Sequence, residues 1–198
     1  MNYLAHIYLS GDNSGRKIGG FIADFVKGNQ LLGYPSDVQS GIRLHRQVDT
    51  FTDRHPYVLK IKELLRPAFG RYSGIFLDIF YDYFLAKNFD EYSSTPLLKF
   101  SRTFYLDTVG RYTSLPATVK GFAWHFMLTN RLCKYAELSG IQRALEIMSR
   151  YSSLPPLSHE AVAFLKRHND VLEKNFRDFF PDLQRLSFDF IRNEQRPA

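Results

Sequence analysis

Apolar residues at helical spacing recur along almost the whole chain, and this restricts the fold more than any other feature. Lys17–Asn29 (KIGGFIADFVKGN) places Ile18, Phe21, Ile22, Phe25 and Val26 at the i, i+3, i+4, i+7, i+8 positions of a core-facing stripe. Ser73–Phe89 (SGIFLDIFYDYFLAKNF) is more apolar still, with Ile75, Phe76, Ile79, Phe80, Tyr83 and Phe84 forming a wide face. The same period predicts a helix from Ser36 or Asp37 to Pro56, and another over Tyr57–Leu65 that Pro67 and Gly70 end. Further helices are predicted over Ser94–Tyr112, Pro116–Leu138, Gly140–Tyr151, Ser158–Phe180 and Pro181–Asn193, with a polar tail beyond. Asn2–Ser10 is too short to type by period. Sustained alternation and Asn-Gly or Asp-Gly hairpin turns are missing. The expected fold is therefore all-α, a single-domain helical bundle of about eight helices spanning residues 1–198. The Gly19-Gly20 pair is awkward inside a helix and predicts close approach of another element.

Composition narrows the function. With 198 residues, 44% of them hydrophobic, and with 18 Phe and 12 Tyr, the chain can bury a large core. A net charge of +6 leans towards an anionic partner, but the basic residues are spread out rather than run together. They form no block of the kind that binds nucleic acid. Cys133 is the sole cysteine, so an intrachain disulfide and a cysteine zinc finger are excluded. MNYLAHIYLS lacks the basic start and long apolar core of a signal peptide, and no apolar run reaches transmembrane length. The expectation is a cytoplasmic protein without membrane attachment. Phosphate-binding glycine loops, a Gly-x-Ser-x-Gly elbow and a His-Glu-x-x-His motif are all missing.

Chemistry concentrates in Gly41–Pro56, GIRLHRQVDTFTDRHP. His45, Asp49 and Asp53 follow each other at intervals of four, so on a helix they stack along one stripe. Asp24 lies near the edge of the preceding apolar stripe. Asp78 and Asp82, again four apart, interrupt the most apolar helix, where an unpaired aspartate is out of place. His6 stands alone among apolar residues, a setting more typical of a hydrogen-bonded core histidine than of a ligand. Lys17, Lys27, Arg43, Arg46 and Arg54 cluster in sequence around these groups and suit phosphate recognition. Two readings stand: carboxylates and imidazoles that work as acid and base or bind a divalent cation (Mn²⁺ or Mg²⁺ for an oxygen-rich set, Zn²⁺ or Fe for one richer in imidazole), or polar faces that simply meet water.

The ordered segments MNYLAHIYLS, GGFIADFVKGN, GIRLHRQVDTFTDRHP and LDIFYDYFLAKNF together resemble acyl carrier protein phosphodiesterases, also called ACP hydrolases. The resemblance covers the first 90 residues well and is thinner beyond. It implies an all-helical fold like that of HD-type metal-dependent phosphohydrolases, with manganese as the favoured metal. It also implies hydrolysis of the phosphodiester that joins 4′-phosphopantetheine to a serine of holo-acyl carrier protein. Carried onto this chain, the polar motif positions are His6, Asp24, His45, Arg46, Asp49, Asp78 and Asp82. The resulting expectation has Asp24, His45, Asp78 and Asp82 holding the metal, with His6 next. Asp49 then acts as a ligand or orients His45, and Arg46 and Lys27 stabilise charge on the phosphoryl oxygens. One departure is Asp82-Tyr83-Phe84, where family members often have Asp-His-Phe. Two alternatives are a phosphohydrolase acting on a nucleotide or other small phosphodiester, and a helical binding module without catalysis.

Overall fold

The computed structural model describes residues 1–194, so the polar tail read beyond Asn193 lies almost wholly outside the described residues. Among these there are twelve α-helical segments and no strand, in agreement with the all-α expectation. They are α1 (Tyr3–Leu9), α2 (Ser14–Ile22), α3 (Ser36–Arg54), α4 (Pro56–Phe69), α5 (Ser73–Lys87), α6 (Phe89–Tyr92), α7 (Leu97–Gly110), α8 (Ala117–Leu128), α9 (Arg131–Lys134), α10 (Leu138–Tyr151), α11 (Ser158–Arg167) and α12 (Asn169–Glu194). Short 3₁₀ turns at Ala23–Phe25 and Gly28–Gly33 follow α2. None of these helices is long and apolar enough to cross a membrane.

Helix α5 lies at the centre, with every residue from Phe76 to Ala86 buried except Asp78. It is buried on all sides, as an apolar helix without a polar face must be. α1 is equally enclosed, packed against α2, α5 and α12. The untyped first segment is thus a core helix of two turns. Its amino end lacks a cap from its own Asn2. Asp82 supplies the cap from α5: its two oxygens accept the N–H groups of Leu4 (2.8 Å) and Ala5 (3.1 Å). These are the N2 and N3 amides that a local cap would serve, and a carboxylate there also suits the helix dipole. Burial pushes the Asp82 carboxyl up to about 7, against the pull of the two amides.

Two prolines behave differently from the sequence expectation. α4 runs through Pro67 to Phe69, and α12 runs unbroken through Pro181, while the helix expected over Ser158–Phe180 instead breaks at His168. Both prolines are exposed, and so are Glu63 and Arg177, whose carbonyls each proline leaves without an N–H donor. Both carbonyls therefore belong to residues that water can reach. Continuing the helix buries Phe69, stacked on Phe76 at 4.1 Å, and extends the α12 stripe Leu172, Phe176, Phe179, Phe180 and Leu183.

α2 and α3 cross in close contact. A Cβ on Gly19 would lie 2.1 Å from the Val38 carbonyl oxygen, and one on Gly41 would lie 2.1 Å from that of Arg16. Backbone therefore meets backbone, as the glycine pair predicted. Gly41→Ala is expected to lower unfolding free energy in urea by about 1–3 kcal/mol or more, because rigid main chain must move apart. Asp82→Asn keeps one acceptor and is expected to lose about 1–3 kcal/mol in the same measurement, as one buried α1 amide goes unpaired.

Candidate metal centre

Four elements deliver polar side chains to one place. α1 contributes His6, α3 contributes His45 and Asp49 one turn apart, α5 contributes Asp78, and the 3₁₀ turn after α2 brings Asp24 up to His45. The His6 and His45 imidazoles stack, with centroids 3.6 Å apart and planes 15° from parallel. Asp49 reaches both, its Oδ1 3.1 Å from His6 Nε2 and its Oδ2 3.1 Å from His45 Nε2. Asp24 Oδ1 lies 3.2 Å from His45 Nε2. The buried Met1 ammonium sits 3.1 Å from Asp78 Oδ1 and 3.6 Å from Asp49 Oδ1. Both histidines are buried, whereas the Asp24 side chain is 66% exposed, so the cluster opens to water on that side.

The hydrogen-bond roles show what the cluster can hold. His45 Nδ1 is 2.8 Å from the Gly20 carbonyl oxygen. A carbonyl only accepts, so Nδ1 carries the hydrogen and Nε2 faces two carboxylates. A neutral His45 would aim a lone pair at both. A proton or a metal cation at that point removes the conflict. Burial works to lower the His45 pKa, but the hydrogen bonds to Asp24 and Asp49 outweigh it and raise it to about 9. His6 is the opposite case: burial first, and then the neighbouring His45 charge, bring it down to about 4. Its Nε2 faces two acceptors, Asp49 Oδ1 and the Met1 carbonyl, and its Nδ1 is sealed from solvent without a partner. Burial would raise the Asp49 carboxyl, yet the two histidines hold it well below the usual carboxylate range. Donor atoms from His6, His45 and Asp49 all lie within 4.8 Å of one another. Two imidazoles with carboxylates, an orphaned ring nitrogen and an opening at Asp24 fit a divalent transition-metal ion.

The other expected site residues fall in different places. Asp82 does not join the donors: both its oxygens are committed to the α1 amides, and it supports His6 by fixing the helix that carries it. Asp78 meets the cluster through the Met1 ammonium. Arg46 donates to the Val26 carbonyl at 2.8 Å, which pins the strip of chain carrying Asp24. Lys27 is exposed, three residues beyond Asp24. Asp53 pairs with Lys62 and His55 with Asp182, both away from the donors. Tyr83 packs against Phe84 and under the Lys87 ammonium. Sequence reasoning missed the Gly20 carbonyl, whose role was signalled only by the glycine pair that lets α3 approach.

Residues 1–183 match the family described as acyl carrier protein phosphodiesterase. The chain belongs to that family. It is similar to the acyl carrier protein phosphodiesterase of Enterobacter sp. (strain 638), 34% identical over 91% of this chain and 94% of the relative. It is also similar to those of Photorhabdus laumondii, 34% identical over 91% and 92%, and of Escherichia coli O45:K1, 32% identical over 91% and 94%. No solved structure matches the chain. The family match spans every element that contributes to the cluster.

A direct check is proton release. A ligating imidazole must be neutral, so a cation that binds His45 Nε2 displaces the proton held there with a pKa of about 9. Adding Mn²⁺ at pH 8 to the metal-free protein should release a proton, read with a pH indicator in weak buffer, and His45→Gln should abolish the release. The sign for stability is equally defined. The His45 pKa is raised above its ordinary 6.5, so its contribution to metal-free stability is full below pH 6.5 and lost as pH rises through about 9.

Proposed function

We propose that this protein is a metal-dependent hydrolase that removes 4′-phosphopantetheine from holo-acyl carrier protein, acting in the cytoplasm. Membership of the acyl carrier protein phosphodiesterase family over residues 1–183 carries this reading. The convergence of His6, His45, Asp49 and Asp24 on one point supports it. The reaction is a hydrolysis: a P–O bond to water forms, the P–O bond to the carrier serine breaks, and the serine oxygen leaves with a proton. Apo-carrier and 4′-phosphopantetheine are the products.

In this reading His6, His45 and Asp49 hold the cation, with Asp24 completing the set on the open side. A divalent ion held there, Mn²⁺ in our reading, would supply positive charge against the phosphoryl oxygens and would make the attacking water easier to deprotonate. The protein's own groups do the rest. The Gly20 carbonyl fixes the His45 tautomer, so Nε2 is the atom presented. Asp49 spans both rings and sets their spacing. Arg46 holds the Val26 carbonyl and thereby the turn bearing Asp24. Lys27, exposed beside that turn, is available to the anionic substrate at the mouth. A net charge of +6 favours approach of an acidic carrier, with a rate that falls as salt rises.

The test is the mass of the carrier. Holo-acyl carrier protein incubated with the purified protein and Mn²⁺ should lose the mass of the arm. EDTA should prevent the loss, and His45→Ala or Asp24→Ala should slow it by about 10²-fold or more, as is usual when a site group that stabilises the transition state is removed. An unchanged carrier mass across several divalent metals would contradict the reading. Turnover of small phosphodiesters without any effect on holo-carrier would point instead to a nucleotide or small-molecule hydrolase.

A further inference from the structure

Asp53 is the member of the His45–Asp49–Asp53 stripe that the metal centre leaves over. Its partner is Lys62 of α4, whose ammonium donates to Asp53 Oδ1 at 2.9 Å. The pair does not touch the donor atoms, but two helices tie it to them. On α3, Asp53 stands one turn beyond Asp49 on the same face. On α5, Gly74 stands one turn before Asp78, again on the same face. Lys62 lies against Gly74 as well: a Cβ there would be 3.5 Å from Lys62 Cε and 3.6 Å from its Nζ. The Met1 ammonium bridges α3 and α5 at the level of Asp49 and Asp78. The Lys62 ammonium bridges the same two helices one turn along, at the level of Asp53 and Gly74. Side chains one turn apart on a helix face are separated by about 5–6 Å. Lys62 is therefore within reach of a group that sits over Asp49 and Asp78. The charges agree: burial raises the Asp78 carboxyl, while the Met1 ammonium and then Lys62 draw it down.

The open side of the centre is lined with acid. The Asp24, Asp49 and Asp78 side chains are 66%, 40% and 31% exposed. An anion that approaches them meets like charge, and a cation at the edge is needed to offset it. The Met1 ammonium is sealed from solvent and engaged by Asp49 and Asp78. Arg46 donates to the Val26 carbonyl, and Lys27 stands beyond Asp24. Lys62 remains, with its side chain 19% exposed. An ammonium has three donors. Among the described residues Lys62 makes one hydrogen bond, to Asp53, so its other donors are free. Asp53 is 72% exposed, and an ion pair so open to water adds little to stability. The pair alone therefore gives little reason for a lysine to lie down against α5 instead of extending into solvent.

We propose that Lys62 is a substrate contact: its ammonium holds a phosphoryl oxygen at the α5 edge of the metal centre, and Asp53 positions it there. This rests on the phosphodiesterase reading above. Lys62 brings positive charge from α4 to an edge where Asp49 and Asp78 supply only negative charge. Gly74 leaves room beside α5 for the lysine stem, and Asp53 holds the ammonium in place before the substrate arrives.

The experiment compares wild type, Lys62→Gln, Lys62→Met and Asp53→Ala. Each is tested for thermal stability, for holo-carrier turnover with Mn²⁺, and for inhibition of that turnover by 4′-phosphopantetheine. Both Lys62 variants should lower kcat/KM by about ten- to a hundredfold and weaken inhibition by about tenfold, the range for losing a hydrogen bond to a charged group. Their stability should stay near that of wild type, because a pair with an exposed aspartate contributes little. Asp53→Ala breaks the same pair but leaves the ammonium, so it should cost only about threefold in either readout. A lysine that merely ties α4 to α3 would give another pattern, with Asp53→Ala and the Lys62 variants losing activity equally. Such equal losses would overturn the inference. So would inhibition within about threefold of wild type, the reach of an exposed pair, in a folded Lys62 variant. Lys62→Gln keeps a hydrogen bond to Asp53 and is the variant to read if Lys62→Met does not fold. If wild type does not turn over holo-carrier, the phosphodiesterase reading fails by itself. Calorimetric titration of the Mn²⁺-loaded proteins with 4′-phosphopantetheine then decides on Lys62: tighter binding by wild type than by Lys62→Gln upholds it, and equal or undetectable binding overturns it.

Discussion

The contact between the α2 and α3 backbones at Gly19 and Gly41 is the constraint from which the centre follows. No side chain separates the helices there. The Gly20 carbonyl consequently comes within 2.8 Å of His45 Nδ1 and decides which nitrogen of that ring faces Asp24 and Asp49. Gly20 itself packs against α1, where a Cβ would crowd the His6 carbonyl oxygen at 3.1 Å. One pair of small residues thus brings the helix with His45 and the helix with His6 close enough for their rings to stack. The chemistry depends on side chains that are absent as much as on those that are present.

Charge in the cluster is arranged to be incomplete. Asp49 lies against both imidazoles and Asp24 against one, yet the rings are too close for both to be protonated comfortably. The low pKa of His6 and the high pKa of His45 express that division. A single divalent ion would satisfy all of these groups together, whereas a proton satisfies only one ring. That arrangement is unfavourable for folding alone and makes sense as preparation for a ligand, the usual trade between stability and activity.

The fold was legible in the sequence because apolar spacing survives tertiary packing. The stripe Ile18, Phe21, Ile22 and Val26 is buried as expected, and α5 is the core helix its composition suggested. Pro67 and Pro181 were misleading because the cost of a lost hydrogen bond depends on whether water can reach the freed carbonyl, which sequence does not record. Within the site, the i, i+4 relation of His45 and Asp49 was visible, and the two do meet. Asp82 shared that kind of spacing with Asp78, but its task is set by the amino end of α1, 78 residues earlier. His6 looked like an ordinary core histidine and is indeed buried, but its ring stacks on His45.

The most direct measurement is anomalous diffraction from crystals grown or soaked with Mn²⁺. One strong peak in contact with His6, His45 and Asp49, with Asp24 at its open side and Asp82 still bound to the Leu4 and Ala5 amides, is the expected result. A peak centred on Asp78 and Asp82, or no peak near the two stacked imidazoles at saturating Mn²⁺, would contradict it.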